Sequence, residues 1–264
     1  MALLLASGRP AKGGDPAPGP KAEPGTLRFG LDTRSAPLCF VPGLDYSKED
    51  RHKRPVLTAL QLRRLCGLEV DVMNALSRRL GVRPVVVPTA WFDLESELLA
   101  GRFDVILASW TPNDRTSGAI EASDPYYEWG LLVAARTKDD RIRSVADLAG
   151  LKVGHFADPV VTRALKEMGA NLGARLSADE DGTDLFEHLR TGAIDALIYD
   201  SPEVRWRVAQ DHDFRVVGEP LNRLGYHVGV RRADGDLLRR INEAIRGLLP
   251  SEEMRALRAR WEGN

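Results

Sequence analysis

"GLEVDVMNALSRRLGVRPVVVP", residues 67–88, decides the fold class. Val70, Met73, Leu76 and Leu80 recur at helical spacing, and Gly81 supplies a left-handed stop, so 67–81 reads as an amphipathic helix. "VRPVVVP" (82–88) then reads as a strand. Working outward, "LRFGLD" (27–32) alternates as a first strand, "FDLESELLAG" (92–101) is helical and "FDVILAS" (103–109) is a further strand. Strands alternating with helices in this rhythm mean a parallel sheet covered by helices, an α/β fold. The polar stretch 43–60 interrupts the pattern and reads as a surface insertion.

The rhythm then starts again. An apolar strand at 130–136 is followed by a helix at "SVADLAG" (144–150), the strand "LKVGHF" (151–156) and helices at 159–169 and 185–192. "DALIYD" (195–200), the helix "SPEVRWRVAQ" (201–210) and the strand "FRVVG" (214–218) complete it. A last apolar strand at 226–231 precedes two closing helices, 235–248 and 251–262. The strands at 130–136 and 226–231 join the two halves, and no residue-level repeat of fixed period relates them.

Composition excludes several classes. Lys plus Arg number 37 against 38 Asp plus Glu, a net charge of −1, which argues against a nucleic-acid binder or a polybasic membrane protein. No apolar run approaches the roughly 20 residues of a membrane helix. Two cysteines, Cys39 and Cys66, make no disulfide scaffold and no zinc spacing; one bridge or two free thiols remain open. "MALLLASG" has a short apolar core without a preceding basic residue, and reads equally as the remnant of a signal peptide or as a disordered start. Residues 1–26 as a whole form a Pro/Gly-rich tether.

In open α/β sheets ligands sit outside the carboxyl ends of the strands, which singles out Asp32, the segment Thr111–Arg115, His155, Asp158 and Asp200. After "FDVILAS", Thr111 is expected to cap a helical turn, Pro112 to open it and Asp114 to complement its positive end. Arg115 is left over, and its planar fork suits a carboxylate; the plainer alternative is a surface ion pair. In "YDSPEV", Ser201 is expected to cap the next helix, leaving Asp200 free to meet an ammonium group. His155 reads as a pocket-lining or packed imidazole before a catalytic one, and counts among the candidate ligand contacts. "DEDGTD" (179–184) is a solvated turn rather than a calcium loop, and "DHD" (211–213) a loop rather than a metal site. No nucleotide-binding, serine-hydrolase or zinc-protease motif is present, and neither metal nor cofactor is expected. Tyr126, Tyr127 and Trp129 precede the joining strand and are expected to pack there rather than touch a ligand.

"GLEVDVMNALSRRLG", "GRFDVILASWTPNDR", "SDPYYEWGLLVAA", "DLAGLKVG" and "GAIDALIYDSP" occur in an order that resembles type II periplasmic solute-binding proteins, in particular the polar amino-acid receptors of ABC importers. The resemblance spans roughly residues 27–262. It implies a two-lobed clamp, each lobe a mostly parallel sheet flanked by helices, with two hinge crossings. Lobe 1 would comprise 27–132 and 226–264, with the closing helices returning to it, and lobe 2 would be 133–225. Carried over by position, Arg115 would grip a ligand carboxylate and Asp200 its ammonium, with Ser109 and Thr111 adding contacts. Asp32 would read the ligand side chain, Trp91 would pack over it, and Ser35 stands where the family often has an aromatic residue. The loop before Arg115 is one residue shorter than the family habit, and "HFADPVV" puts Asp158 and Val160 where Gly and Thr are usual. The implied function is an exported, monomeric receptor that captures a small zwitterionic or anionic metabolite and hands it to the membrane subunit of an ABC transporter. A cyclohexadienyl-dehydratase-like lyase using His155 and Asp158, or a ligand-free docking module, are the alternatives.

Overall fold

The computed structural model describes residues 23–46, 51–113, 118–179 and 184–262, the side chains of 169–171 excepted. The sequence expectations for residues 1–22 lie outside the described residues.

The first sheet contains β1 (Thr26–Leu31), β2 (Arg83–Pro88), β3 (Val105–Ile106), β4 (Ile120–Trp129) and β10 (Leu224–Arg231), in the order β2-β1-β3-β10-β4. The second contains β5 (Leu131–Arg136), β6 (Lys152–Phe156), β7 (Arg175–Asp179), β8 (Ala196–Asp200) and β9 (Phe214–Val217), in the order β7-β6-β8-β5-β9. β10 runs antiparallel to both its neighbours in the first sheet, as β5 does in the second, while the other pairings are parallel. Four strands of each sheet therefore share one direction. The opposed one is in each case an apolar segment between the halves, so each sheet is mixed rather than purely parallel, for a topological reason.

Helix α2 (Leu68–Leu80) buries Leu68, Val72, Met73, Ala75 and Leu76. Its ends are fixed by glycines for distinct reasons. Gly67 sits at φ 132°, and a Cβ there would lie 2.1 Å from the Leu38 carbonyl oxygen. Gly81 takes the left-handed cap conformation, its N–H donating to Arg78 and Ser77 carbonyls. The closing helices α7 (Gly235–Leu248) and α8 (Glu252–Trp261) pack on this lobe. α7 lies against β4 and α2, and the carboxylates Glu253 and Asp71 tie α8 to α2 through Arg79 (2.7 Å) and the Trp261 indole (2.8 Å).

Three local expectations change. The strand read over 103–109 is only two residues long, and the chain beyond it turns at Ser109 into a positive φ of 46°. "SVADLAG" forms a 3-10 turn (Val145–Leu148) rather than an α-helix. β7 is a strand the alternation did not reveal, since it is an edge strand with little buried surface. Cys39 and Cys66 are free thiols, with Phe40 and Cys66 paired through their backbones.

Candidate functional site

The carboxyl ends of β1, β3, β6 and β8 converge on one cavity between the two sheets. Asp32, Ser35, Trp91, Ser109, Thr111, Asp158 and Asp200, all singled out from sequence, line it together. Arg115 and Asp114 lie outside the described residues. His155 does not line the cavity: it is buried within β6, with Nδ1 2.9 Å from the Phe156 carbonyl oxygen. Strand alternation explains this, because the neighbouring Phe156 takes the cavity side of the strand.

Each lining residue is held by identifiable partners. Asp32, at the end of β1, accepts a two-pronged interaction from Arg34, at 2.9 Å from Nε and 3.1 Å from Nη2, and also the Arg34 backbone N–H. Both side chains are almost fully buried, 6% and 1% exposed. Arg34 in turn donates to the carbonyls of Arg51 and Lys53, each at 3.1 Å, while Arg51 donates to the Arg34 carbonyl at 3.0 Å. The segment read as a surface insertion is thus strapped across the rim and delivers Arg51 to the cavity.

Ser109 keeps its left-handed backbone because its N–H donates to the Glu69 carboxylate, which also accepts from the Tyr126 hydroxyl at 2.9 Å. Glu69 sits in the first turn of α2 and is buried; desolvation pushes its pKa up to about 8, against the opposing pull of those two donors. Trp110 and Asn113 both donate to Glu95 at 2.8 Å, pinning the chain that leads towards Arg115. Thr111 does not cap a helical turn: residues 111–113 are not helical, and its hydroxyl donates to the Gly225 carbonyl at 2.9 Å.

On the opposite wall Asp158 accepts the N–H groups of Val160 (2.6 Å) and Val161 (2.8 Å), and so starts α4 (Pro159–Leu172). This gives an acidic residue a structural task where the resemblance led one to expect glycine. The residue preceding α6 (Ser201–Gln210) is Asp200, not Ser201, and its side chain makes no capping bond. Ser201 instead accepts the Gly130 N–H at 3.2 Å, where β4 passes into β5. Asp200 accepts a hydrogen bond from Tyr226, and burial, followed by the nearby Glu203 charge, holds its pKa well above the usual carboxylate range.

Sequence reasoning missed Arg51, Phe92, Phe156, Tyr199 and Glu203 as cavity residues, and assigned Trp129 to packing alone. Trp129 does stack on Tyr226, at 4.9 Å between ring centroids, and it lines the cavity as well. Trp91 and Phe92 meet Phe156 from across the cleft at 5.6 and 5.4 Å. The signal for Glu203 was available, since it lies one helical turn beyond Asp200. "DHD" is an ion-paired loop, with Asp211 and Asp213 both on Arg190. No cluster able to hold a metal ion occurs among the described residues.

Two sheets of one plan, joined by reversed strands and enclosing a polar cavity at their strand ends, define a two-lobed solute-binding clamp. The chain belongs to the bacterial extracellular solute-binding proteins, family 3, whose family model matches residues 54–264. It is 29% identical over 202 residues to the L-cystine-binding protein TcyJ of Escherichia coli (strain K12), covering 76% of this chain and 75% of that one. Among solved structures it is similar to an ancestral arginine-binding protein bound to arginine, with 25% identity, TM-score 0.71, and 90% and 99% of the two chains covered. It shares its fold with an ancestral amino acid-binding protein described as a precursor of cyclohexadienyl dehydratase, at 24% identity and TM-score 0.71, covering 90% and 96%. The named relatives are binding proteins, and this chain is a binding protein of amino-acid transport rather than an enzyme.

Proposed function

We propose that the protein captures an amino-acid-like solute outside the cytoplasm and delivers it, as a monomer, to the membrane subunit of an ABC importer. The observation that carries this reading is the cavity itself, which takes Asp32, Ser109 and Thr111 from one sheet's strand ends and Asp158 and Asp200 from the other's. A ligand touching both walls favours the closed state by its differential contacts. In this reading residues 27–132 with 226–264 move against 133–225, Asp200 holds the ligand ammonium and Arg115 its carboxylate. The named relatives, which bind L-cystine and arginine, support an amino-acid ligand.

A thermal-shift panel of amino acids tests the reading, since a ligand at 100 times its Kd stabilises by about 2.7 kcal/mol. Arg115→Ala is expected to abolish calorimetric binding of whichever amino acid stabilises the wild type while leaving the unfolding transition of the free protein in place. Retained affinity would remove Arg115 from the site.

A further inference from the structure

Asp200 ends β8 and Glu203 stands in the first turn of the helix that follows at once, so three residues of separation put both carboxylates on one face. Both line the cavity. Asp200 is not taken up by the helix end, because the position before α6 carries no side-chain capping bond. Neither forms an ion pair among the described residues: Asp200 accepts from the Tyr226 hydroxyl, and Glu203 has the Arg51 charge nearby and the Tyr199 hydroxyl beside it. An independent feature of the same cavity points to a ligand. Trp129 lines it, is only 5% exposed, and its indole N–H has no hydrogen-bond partner among the described residues. A buried donor without an acceptor costs about 1–3 kcal/mol unless something else supplies one.

We propose that Glu203 joins Asp200 in a two-carboxylate seat for the ammonium group of the ligand, and that the Trp129 indole N–H donates to an acceptor on the same ligand. This rests on the reading of an ammonium-bearing solute given above. It adds a second acid and a neutral donor to the single aspartate that the resemblance implied.

The groups facing the pair are Arg51 from the strap, Tyr199 on β8, Tyr226 on β10 and Asp158 ahead of α4, with Asp32 and Glu69 contributing from the first sheet. Five of these six, Asp158, Asp32, Glu69, Tyr199 and Tyr226, are acids or hydroxyls, and only Arg51 is a cation. Burial pushes Glu203 up to about 7 and Asp200 higher than ordinary carboxylates, so the seat holds a proton at neutral pH. An arriving ammonium replaces that proton as the countercharge, and the proton leaves to solvent. Binding therefore releases protons and tightens as pH rises through neutrality.

The test is calorimetry on the full chain at pH 6, 7 and 8, in buffers of different ionisation enthalpy. The probes are L-arginine, L-cystine and 1,4-diaminobutane. The wild type is expected to release protons on binding and to bind at least threefold tighter at pH 8 than at pH 6. Glu203→Gln is expected to weaken binding at pH 8 about tenfold and to reduce the proton release. Trp129→Phe is expected to weaken the amino acids and leave the diamine unchanged. A Glu203→Gln protein with wild-type affinity and proton release overturns the seat, and an unchanged amino-acid affinity in Trp129→Phe overturns the indole contact. If the wild type binds neither amino acid and the thermal-shift panel is flat, the amino-acid reading fails while the diamine still decides the seat. Binding of it that depends on Glu203 upholds the seat, and its absence overturns it. Should Glu203→Gln unfold, infrared difference spectra of the wild type decide: a protonated-carboxyl band is expected to disappear when ligand is added, and an unchanged carboxyl region overturns the proposal.

Discussion

Asp32 and Glu69 on the first sheet's side of the cleft, and Asp200 and Glu203 on the other, are all carboxyl groups taken out of bulk water, yet they are partnered differently. Asp32 is matched by the Arg34 guanidinium, and Glu69 by a backbone N–H and a tyrosine hydroxyl. Among the described residues Asp200 has the Tyr226 hydroxyl, and Glu203 has the Tyr199 hydroxyl and the nearby Arg51 charge without an ion pair. Desolvating a carboxylate is costly unless a charge or several donors replace the lost water. The first rim is therefore a finished structure, assembled before any ligand arrives. In the proposed reading the second carries its cost into the unliganded protein and recovers it when the ligand ammonium binds.

Arg34→Ala is the most disruptive way to break this contrast. It leaves Asp32 buried without its countercharge and frees the strap from its anchors at the Arg51 and Lys53 carbonyls. Removing one partner of a buried pair costs about 3–5 kcal/mol, and urea unfolding is expected to register a loss of that order. A loss below about 1 kcal/mol, the worth of an exposed pair, would mean that the first rim is no more finished than the second.

Glu69→Gln probes the same rim through pH. The folded-state pKa of about 8 exceeds the ordinary carboxylate value, so between the two the folded protein holds a proton that the unfolded chain has lost. This contribution to stability is fully present below the unfolded value and disappears as pH rises through about 8. Wild-type stability is thus expected to fall between pH 5 and 9 by a few kcal/mol, with Glu203 adding the same sign up to about 7. Glu69→Gln should flatten the upper part of that profile and Glu203→Gln the lower part. An unchanged slope in Glu69→Gln would show that Glu69 is ionised in the folded state.

The alternation of strands and helices, the joining strands and most of the cavity rim were legible in the sequence because they follow from periodicity and from the rule that ligands sit at strand carboxyl ends. Asp32, Thr111, Asp158 and Asp200 were found that way, and all four line the cavity. What could not be read depended on contacts distant in sequence. Arg51 arrives through a strap held by Arg34, and Ser109 takes its backbone angle from Glu69, 40 positions away. His155 is buried away from the cleft although its polarity drew attention to it, whereas strand parity puts Phe156 into the cleft. Trp129 was assigned to packing because a stacked ring and an unsatisfied N–H look identical in sequence.

The smallest expected effect sharpens the comparison most, because Asp158 sits on the second rim and yet has a structural task. Its Oδ1 accepts two N–H groups at the start of α4, while its charge raises the pKa of Asp200. The two roles separate chemically. Asp158→Ala removes both cap and charge and is expected to cost about 1 kcal/mol in denaturant unfolding. Asp158→Asn keeps an oxygen to accept from Val160 and Val161, so it should recover most of that loss while relieving Asp200 of a neighbouring negative charge. The part not recovered is the attraction between a carboxylate and the positive helix end, about 0.3–1 kcal/mol, and should shrink in high salt. Equal losses in the two variants would assign the stabilisation to the charge rather than to the cap. Asp158 would then be an acid already neutralised by its helix, like Asp32 by its arginine, and the open part of the second rim would narrow to Asp200 and Glu203.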